Sequence, residues 1–379
     1  MSVDPKATTL WPVKPIGELL VAVRLPVAVQ STESYREIGI RSHCKGIFHK
    51  PAVTGKVIGD KRVFWVEPGC LVLNIVFAWE QAVAMTSEAE VGMIASHRFP
   101  MYRSRNGKLL PEYAWRYFSS PRGKYDLGMA SPGGAGRNKT LGQEEFKRLK
   151  IPVPPVEYQR TVIDVLVIAD RAIDRTINLI TAKRQLKQGL AQQLLTGRCR
   201  MGPGQWRNHE FGQLFAGANK KTKQVQRGEY RTSGRFPIVD QGRGLVAGYC
   251  NDDSVVYQDV PVIVFGDHTR EVKFIDFPFV CGADGTQVLR TTSLLDIEFG
   301  YQLLRVLPLP SLGYSRHMRF LKEQVFRVPE KLHIQKRIAA VLGAADREVA
   351  LLERKLAALR ELRKGLMQKL LTGQVRATV

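Results

Sequence analysis

The chain has 379 residues, with 57 lysines and arginines against 35 aspartates and glutamates, a formal net charge of +22. That length suits two or three ordinary domains, and the cationic excess suits a partner with a phosphate backbone or an anionic surface. A membrane-spanning chain is excluded, since the best apolar runs, Leu71 to Ala78 and Val162 to Ala169, fall far short of the ~18 residues that a span needs.

Near the start, Pro12, Lys14, Pro15 and Arg24 interrupt every apolar stretch, so no secretory signal core is read there, and the expectation is a soluble, cytoplasmic protein. Five cysteines, Cys44, Cys70, Cys199, Cys250 and Cys281, show no CxxC spacing and suit reduced thiols rather than a disulfide framework.

The first recognisable feature in chain order is Trp11-x5-Gly17-x-Leu19, which opens a region of mixed character. Apolar runs at Val63 to Val66 and Cys70 to Val76, punctuated by Gly and Pro, predict strands, while Glu112 to Phe118 and Gln143 to Arg148 predict short helices. Between those helices, Ser131 to Thr140 is glycine-rich and resembles a phosphate-binding loop. It lacks the Gly-Lys-Thr that loop needs, because Asn138 stands where the glycine should be, and no strand precedes it. A DNA-contacting loop or a plain surface loop fits better, since backbone N–H groups of glycine-rich turns bind anions without ATPase chemistry.

After Pro152, Pro154 and Pro155 a long helix is predicted from Glu157 to Leu195, about 58 Å at ~1.5 Å per residue. Val162, Leu166, Ala169, Ile173 and Ile180 mark its seam, with Thr176 and Lys183 as weaker positions, and Thr196-Gly197 supplies a left-handed C-terminal cap. Trp206-x5-Gly212-x-Leu214 then repeats the opening motif. A second mixed region follows, with strands expected at Val255 to Tyr257 and Val260 to Phe265 and a helix at Phe299 to Val306. Beyond Pro329 the seam returns through Ile338, Leu342, Ala345, Val349, Leu352, Leu356 and Leu359, ending at Thr372-Gly373.

The segment Gln159 to Arg200 aligns without gaps on Gln335 to Arg376. Shared residues include Ala169-Asp170-Arg171 with Ala345-Asp346-Arg347 and Leu194-Leu195-Thr196-Gly197 with Leu370-Leu371-Thr372-Gly373. The natural partner of each helix is therefore the other. The fold class expected is α+β: two α/β-mixed domains separated by two long helices that form an antiparallel coiled coil, in a pseudo-two-fold repeat. Gly189 and Gly365 lie at equivalent points inside these helices, where glycine costs ~1 kcal/mol relative to alanine. They mark either tolerated weakness or a close helix crossing.

Basic side chains mixed with amides and aromatics recur in both mixed regions, and such sets grip phosphates and read base edges. The candidate DNA-binding residues are Arg41, Lys45, Arg103, Arg105, Lys108, Arg137, Asn138 and Lys139 in the first region. In the second they are Arg231, Arg235, Arg243, His268, Arg270, Arg316 and Arg319; His43 stands beside the first set, and Gln241 and His317 beside the second. Fragments of other chemistries are present but incomplete. Asp267-x3-Glu271-Val272-Lys273 resembles part of a metal-nuclease constellation, while His43, Cys44, His49 and Cys70 match no common zinc spacing. Pro154-Pro155 lacks the flanking Asn and aromatic of a methyl-transfer motif.

This arrangement resembles the specificity (S) subunits of type I restriction-modification systems. The resemblance rests on the helix endings Lys187 to Gly197 and Arg363 to Gly373, on Ile151 to Pro155 running into Gln159, and on the Trp11 and Trp206 openings. The chain departs from the family at Tyr158 and Ile334, which stand where a Glu usually precedes that Gln.

The resemblance implies target recognition domains at 1–155 and 201–330 and spacer helices at 156–200 and 331–379. It further implies that each domain reads one half of a bipartite asymmetric double-stranded DNA target. Two methyltransferase (modification) subunits are the implied partners, with restriction subunits in the full complex, and the chain itself would carry no catalytic residue, metal or cofactor. The alternative is a stand-alone DNA-modifying or DNA-cleaving enzyme.

Overall fold

The computed structural model of the protein describes residues 11–133, 139–219, 223–283, 285–310 and 316–375. The chain divides into two compact units, Met1–Thr176 with Lys355–Val379, and Ile177–Arg354. Both long helices, Val156–Leu194 and Leu332–Leu371, run through both units.

Each unit therefore holds a mixed α+β head, the start of one long helix and the end of the other. In the first unit Val162, Ile163 and Leu166 share a core with Met367, Leu370 and Leu371. In the second, Leu194 and Leu195 share a core with Ile334, Ile338 and Leu342. Start meeting end makes the helix pair antiparallel within each unit. The expected seam is visible residue by residue: Val162, Leu166, Thr176, Ile180, Ile338 and Leu342 are buried, and Ala345, Val349, Leu352, Leu356 and Leu359 are half-buried. Both helices stop at the predicted caps, with Gly197 at φ 73° and Gly373 at φ 74°.

The close crossing considered for Gly189 and Gly365 is absent. A Cβ built at either glycine meets nothing within 4 Å outside its own helix backbone. Neither glycine is there to let another element approach.

The heads begin alike. Val13–Pro15 pairs antiparallel with Lys150–Pro152, and Trp206–Glu210 with Val325–Pro329, so each head closes its first strand onto the strand that leads into a long helix. A single helical turn follows, Ile16–Leu19 or Phe211–Leu214, whose apolar ends are buried.

The next layer is also shared. In the first head the sheet order is Leu20–Val23, Met101–Ser104, Leu71–Leu73, Val83–Met85. In the second it is Phe215–Gly217, Thr286–Thr291, Val262–Gly266, Val272–Ile275, all antiparallel, with the same chain connectivity. On each sheet packs an amphipathic helix, Pro111–Phe118 or Ile297–Val306, close to the bounds the sequence predicts.

The heads diverge in the outer layer. The first head has three short antiparallel pairs, Ser34–Tyr35 with Val53–Thr54, Ile38–Ile40 with Ile47–His49, and Val63–Trp65 with Ile94–Ser96. The second builds one five-stranded sheet that includes parallel pairs of Phe279–Gly282 with Gln224–Val225 and Phe236–Val239.

Candidate nucleic-acid interface

Two pairs of repeated residues fix each head to its helices. Gln159, fully buried, accepts a hydrogen bond from the Leu110 N–H (2.8 Å) and donates to the Lys108 (2.7 Å) and Pro154 (2.9 Å) carbonyls. It thereby ties the long helix to the N-terminus of the head helix Pro111–Phe118 and to the strand end before it. Gln335 does the same in the second unit.

About three turns further on, Asp170 takes hydrogen bonds from Arg116 of the head helix and from Arg363 of the other long helix. Its counterpart Asp346 takes them from Gln302 (2.9 Å) and Arg305 (2.8 Å) of the head helix and from Lys187 (2.5 Å) of the other long helix. Burial acts to raise both carboxyl pKa values. The hydrogen bonds and nearby cations outweigh it and hold both below the usual aspartate value.

Away from these roots, each head brings two hairpin tips together. In the first head the tip Arg41–Gly46 lies on the tip that contains the turn Ala78–Glu80. The His43 N–H donates to the Glu80 carbonyl (2.7 Å), the Cys44 N–H to the Gln81 carbonyl (2.9 Å), and the Ser42 hydroxyl to the Glu80 carboxylate (2.9 Å). His43 (φ 60°), Cys44 (φ 56°) and Gln81 (φ 60°) are all left-handed, a conformation costing ~1–3 kcal/mol for non-glycine residues unless surroundings impose it. The imposing contacts are present. Gln81 Nε2 donates to the Phe118 and Ser120 carbonyls, and Cys44 packs on the core below, so that Arg41, His43 and Lys45 face outward. Lys139 stands 5.8 Å from the centre of the Trp79 ring on the same tip.

In the second head the tip 240–247 lies on the tip 267–271. Gln241 accepts from the His268 N–H (3.1 Å) through its side chain and from the Thr269 hydroxyl (2.5 Å) through its carbonyl. Arg270 is left-handed (φ 62°), in the hairpin equivalent to that of Gln81. Arg243 Nε approaches the Glu271 carboxylate at 3.8 Å. His317 joins from the following segment, its N–H and its Nδ1 both reaching the Asp267 carbonyl (2.9 and 2.8 Å). That contact places Arg316 beside the tips, with Arg319 on the next short helix.

The structure thus assembles Arg41, Lys45 and Lys139 in one head, and Arg243, His268, Arg270 and Arg316 in the other. Other candidates lie elsewhere. Arg105 and Lys108 sit at the root of the first head, by the Gln159 clamp, and line with Lys14 and Glu18 a cavity of about 430 Å³. Arg103 is exposed on the sheet strand that leads there. Arg231 and Arg235 occupy the end of the Phe236–Cys250 hairpin remote from its tip, paired with Tyr249 and Asn251 through their backbones. Arg137 and Asn138 lie outside the described residues.

The sequence reading missed Trp79, Gln81 and the bracing lysine, Lys273. Left-handed backbone at Gln81 leaves no signal in residue type, whereas Lys273 was visible but assigned to a nuclease-like fragment. In the fold, Lys273 Nζ donates to the Asp240 and Gly244 carbonyls, and Asp267 caps the Met318 N–H. The fragment is absorbed in holding loops. Among the described residues no group of three or more His, Cys, Asp or Glu is placed to hold a metal, and no helix is long and apolar enough to cross a membrane.

No protein-family model matches the chain. Solved structures do, three of them as follows. The HsdS subunit of Thermoanaerobacter tengcongensis superposes with a TM-score of 0.52 at 16% identity, covering 96% of this chain and 97% of its own. The type I restriction-modification S subunit of M. genitalium gives 0.61 at 14% identity, with 98% of both chains covered. A chain solved for the complex assembly and conformational transition of the type I R-M system gives 0.56 at 16%, covering 96% and 98%. End to end, the chain has the fold of type I restriction-modification S subunits.

Proposed function

We propose that this chain is the DNA sequence-specificity subunit of a type I restriction-modification complex and carries no catalytic centre itself. Each head reads one half of a bipartite, asymmetric double-stranded target, and the long helices set the spacer and dock two methyltransferase subunits. Restriction subunits complete the cleaving assembly.

The observation that carries this reading is a repeated frame bearing unlike surfaces. Both heads share a sheet order and the Gln and Asp clamps, while the apposed tips present Arg41, His43 and Lys45 in one and Arg243, His268 and Arg270 in the other. Equal frames suit equal tasks, and unequal tips suit unequal half-sites.

Methylome sequencing of cells with and without the gene tests the reading. Loss of one bipartite adenine-methylated motif on deletion is expected, and replacing 206–330 with another head should change only one half of it. An unchanged methylome, or a change in both halves after the swap, would overturn it.

A further inference from the structure

The tip of the second head carries a feature that cations alone do not explain. Between the strands Phe236–Val239 and Gly248–Cys250, the loop runs Asp240-Gln241-Gly242-Arg243-Gly244-Leu245-Val246-Ala247, and Leu245 and Val246 are 51% and 36% exposed. Single exposed apolar residues are ordinary. Two adjacent ones at the end of a hairpin, next to a side chain as open as Arg243 (94%), are not explained by folding.

The loop is built rather than loose. Lys273 is buried beneath it, and its ammonium donates to the carbonyls of Asp240 (2.7 Å) and Gly244 (2.5 Å), spanning the turn. Asp240 in turn accepts from the Gly242 N–H at 2.8 Å. Below, a glycine lets the chain approach: a Cβ on Gly282 would meet Asp240 Cβ at 2.7 Å. A buried ammonium is tolerated only when paired and hydrogen-bonded, and Lys273 meets that condition through the two carbonyls and the Asp240 carboxylate at 3.9 Å, so the shape of the turn and the burial of the lysine depend on one another.

The surroundings say what the apolar pair faces. Arg243, Arg270 and Arg316 are the basic side chains assembled at these tips, with His268 beside them; the acidic ones are engaged locally, Asp240 by the Gly242 N–H, Asp267 by the Met318 N–H and Glu271 facing Arg243, so the basic groups are the ones left to meet a phosphate backbone. In a major groove the one apolar group on a base edge is the thymine C5 methyl. The corresponding tip of the first head, Arg41 to Gly46, offers Ser42, His43, Cys44 and Lys45 and no exposed aliphatic side chain.

We propose that Leu245 and Val246 form an apolar reader that Lys273 holds against a thymine methyl in the half-site of the second head. The inference rests on the specificity-subunit reading and sharpens it. The second half-site contains a T·A pair whose recognition depends on the methyl group.

The test uses the full chain assembled with its methyltransferase subunits and duplexes carrying the motif found by methylome sequencing. Each thymine is replaced singly by deoxyuridine, which removes only the methyl. One replacement in the second half-site should weaken binding about fourfold, the value of one buried methyl-sized group at ~0.8 kcal/mol. With Leu245→Ser/Val246→Ser the thymine and deoxyuridine duplexes should bind equally, and Leu245→Met should keep the discrimination, which separates a reading defect from a folding one. A second half-site without thymine on either strand, or a wild-type complex indifferent to every replacement there, overturns the proposal. Uniform weakening of all duplexes by the serine variant, with methyl discrimination intact, also overturns it. A complex with no sequence preference at all would instead remove the specificity-subunit reading on which the proposal stands.

Discussion

Gln159 and Gln335 make the same three hydrogen bonds in the two halves of the chain. Gln335 Oε1 accepts from the Asp296 N–H at 2.7 Å, as Gln159 Oε1 does from Leu110, and both Nε2 groups donate to two carbonyls. Both acceptor bonds are made to the residue that precedes a head helix, so each glutamine is the joint between head and long helix. Replacing either by leucine preserves bulk but leaves a buried N–H and two carbonyls unpaired, at ~1–3 kcal/mol for each group not rescued by water. Gln159→Leu and Gln335→Leu should each lower stability by at least ~2 kcal/mol in urea unfolding; a loss under ~0.5 kcal/mol would show that the joint is dispensable.

The second joint is electrostatic. Asp170 and Asp346 have folded-state pKa values below the ordinary carboxylate value, the net result of Arg116 and Arg363, or Lys187, Gln302 and Arg305, overcoming the effect of burial. A depressed folded pKa means that the stabilisation is fully present above the unfolded value of ~3.9 and is lost as the pH falls through the folded value. Thermal melting scanned downward from pH 5 should therefore show an acid loss that shrinks in Asp170→Asn/Asp346→Asn. The double variant should already be less stable at neutral pH. An acid limb of unchanged size would assign the effect to other carboxylates.

The tips make a prediction about salt. If Lys45 and Lys139 in the first head, and Arg243 and Arg316 in the second, contact phosphates, each alanine variant should lower affinity for all duplexes alike. Each should also reduce the slope of log K against log salt by about 1. Arg231→Ala and Arg235→Ala, remote from the tips, should leave the slope unchanged. The reverse ranking would move the interface to the other end of that hairpin.

Much of this architecture was legible because it is periodic. A heptad seam needs only Ile338, Leu342 and their successors in register, and the Trp11 and Trp206 openings mark where each head begins. The clamps were half legible: Gln159/Gln335 and Asp170/Asp346 stood out as repeated letters, but a polar residue repeated on a helix gives no sign of what it bonds. The tips were least legible. Their shape depends on left-handed backbone at His43, Cys44, Gln81 and Arg270 and on long-range bonds such as Lys273 to Gly244, which no local pattern records. Charge clustering found Arg243 and Arg270 but equally picked out Arg231 and Arg235, since composition does not distinguish the two ends of one hairpin.

The helix glycines separate conformational need from tolerated weakness. Gly197 and Gly373 are left-handed, and the turns they form return N–H groups to the helix ends, Cys199 to Gln193 (3.0 Å) and Val375 to Lys369 (3.3 Å). An alanine there must adopt a disfavoured backbone, so Gly197→Ala and Gly373→Ala should each cost ~1 kcal/mol. At Gly197 the cost should be larger, because a Cβ meets the Trp206 ring at 2.9 Å. Gly189 and Gly365 differ in both respects: each lies inside its helix with open space where the Cβ would go. Alanine at either should stabilise by up to ~1 kcal/mol, since the helix gains propensity and nothing is displaced. The two sets have opposite signs at four positions in one repeat, so urea midpoints of the four single variants are sufficient. Destabilisation by Gly189→Ala or Gly365→Ala in the isolated chain would mean that these helices pack more closely than the structure has them. Stabilisation of the chain accompanied by weaker methyltransferase binding would instead assign the glycines to that partner's docking face.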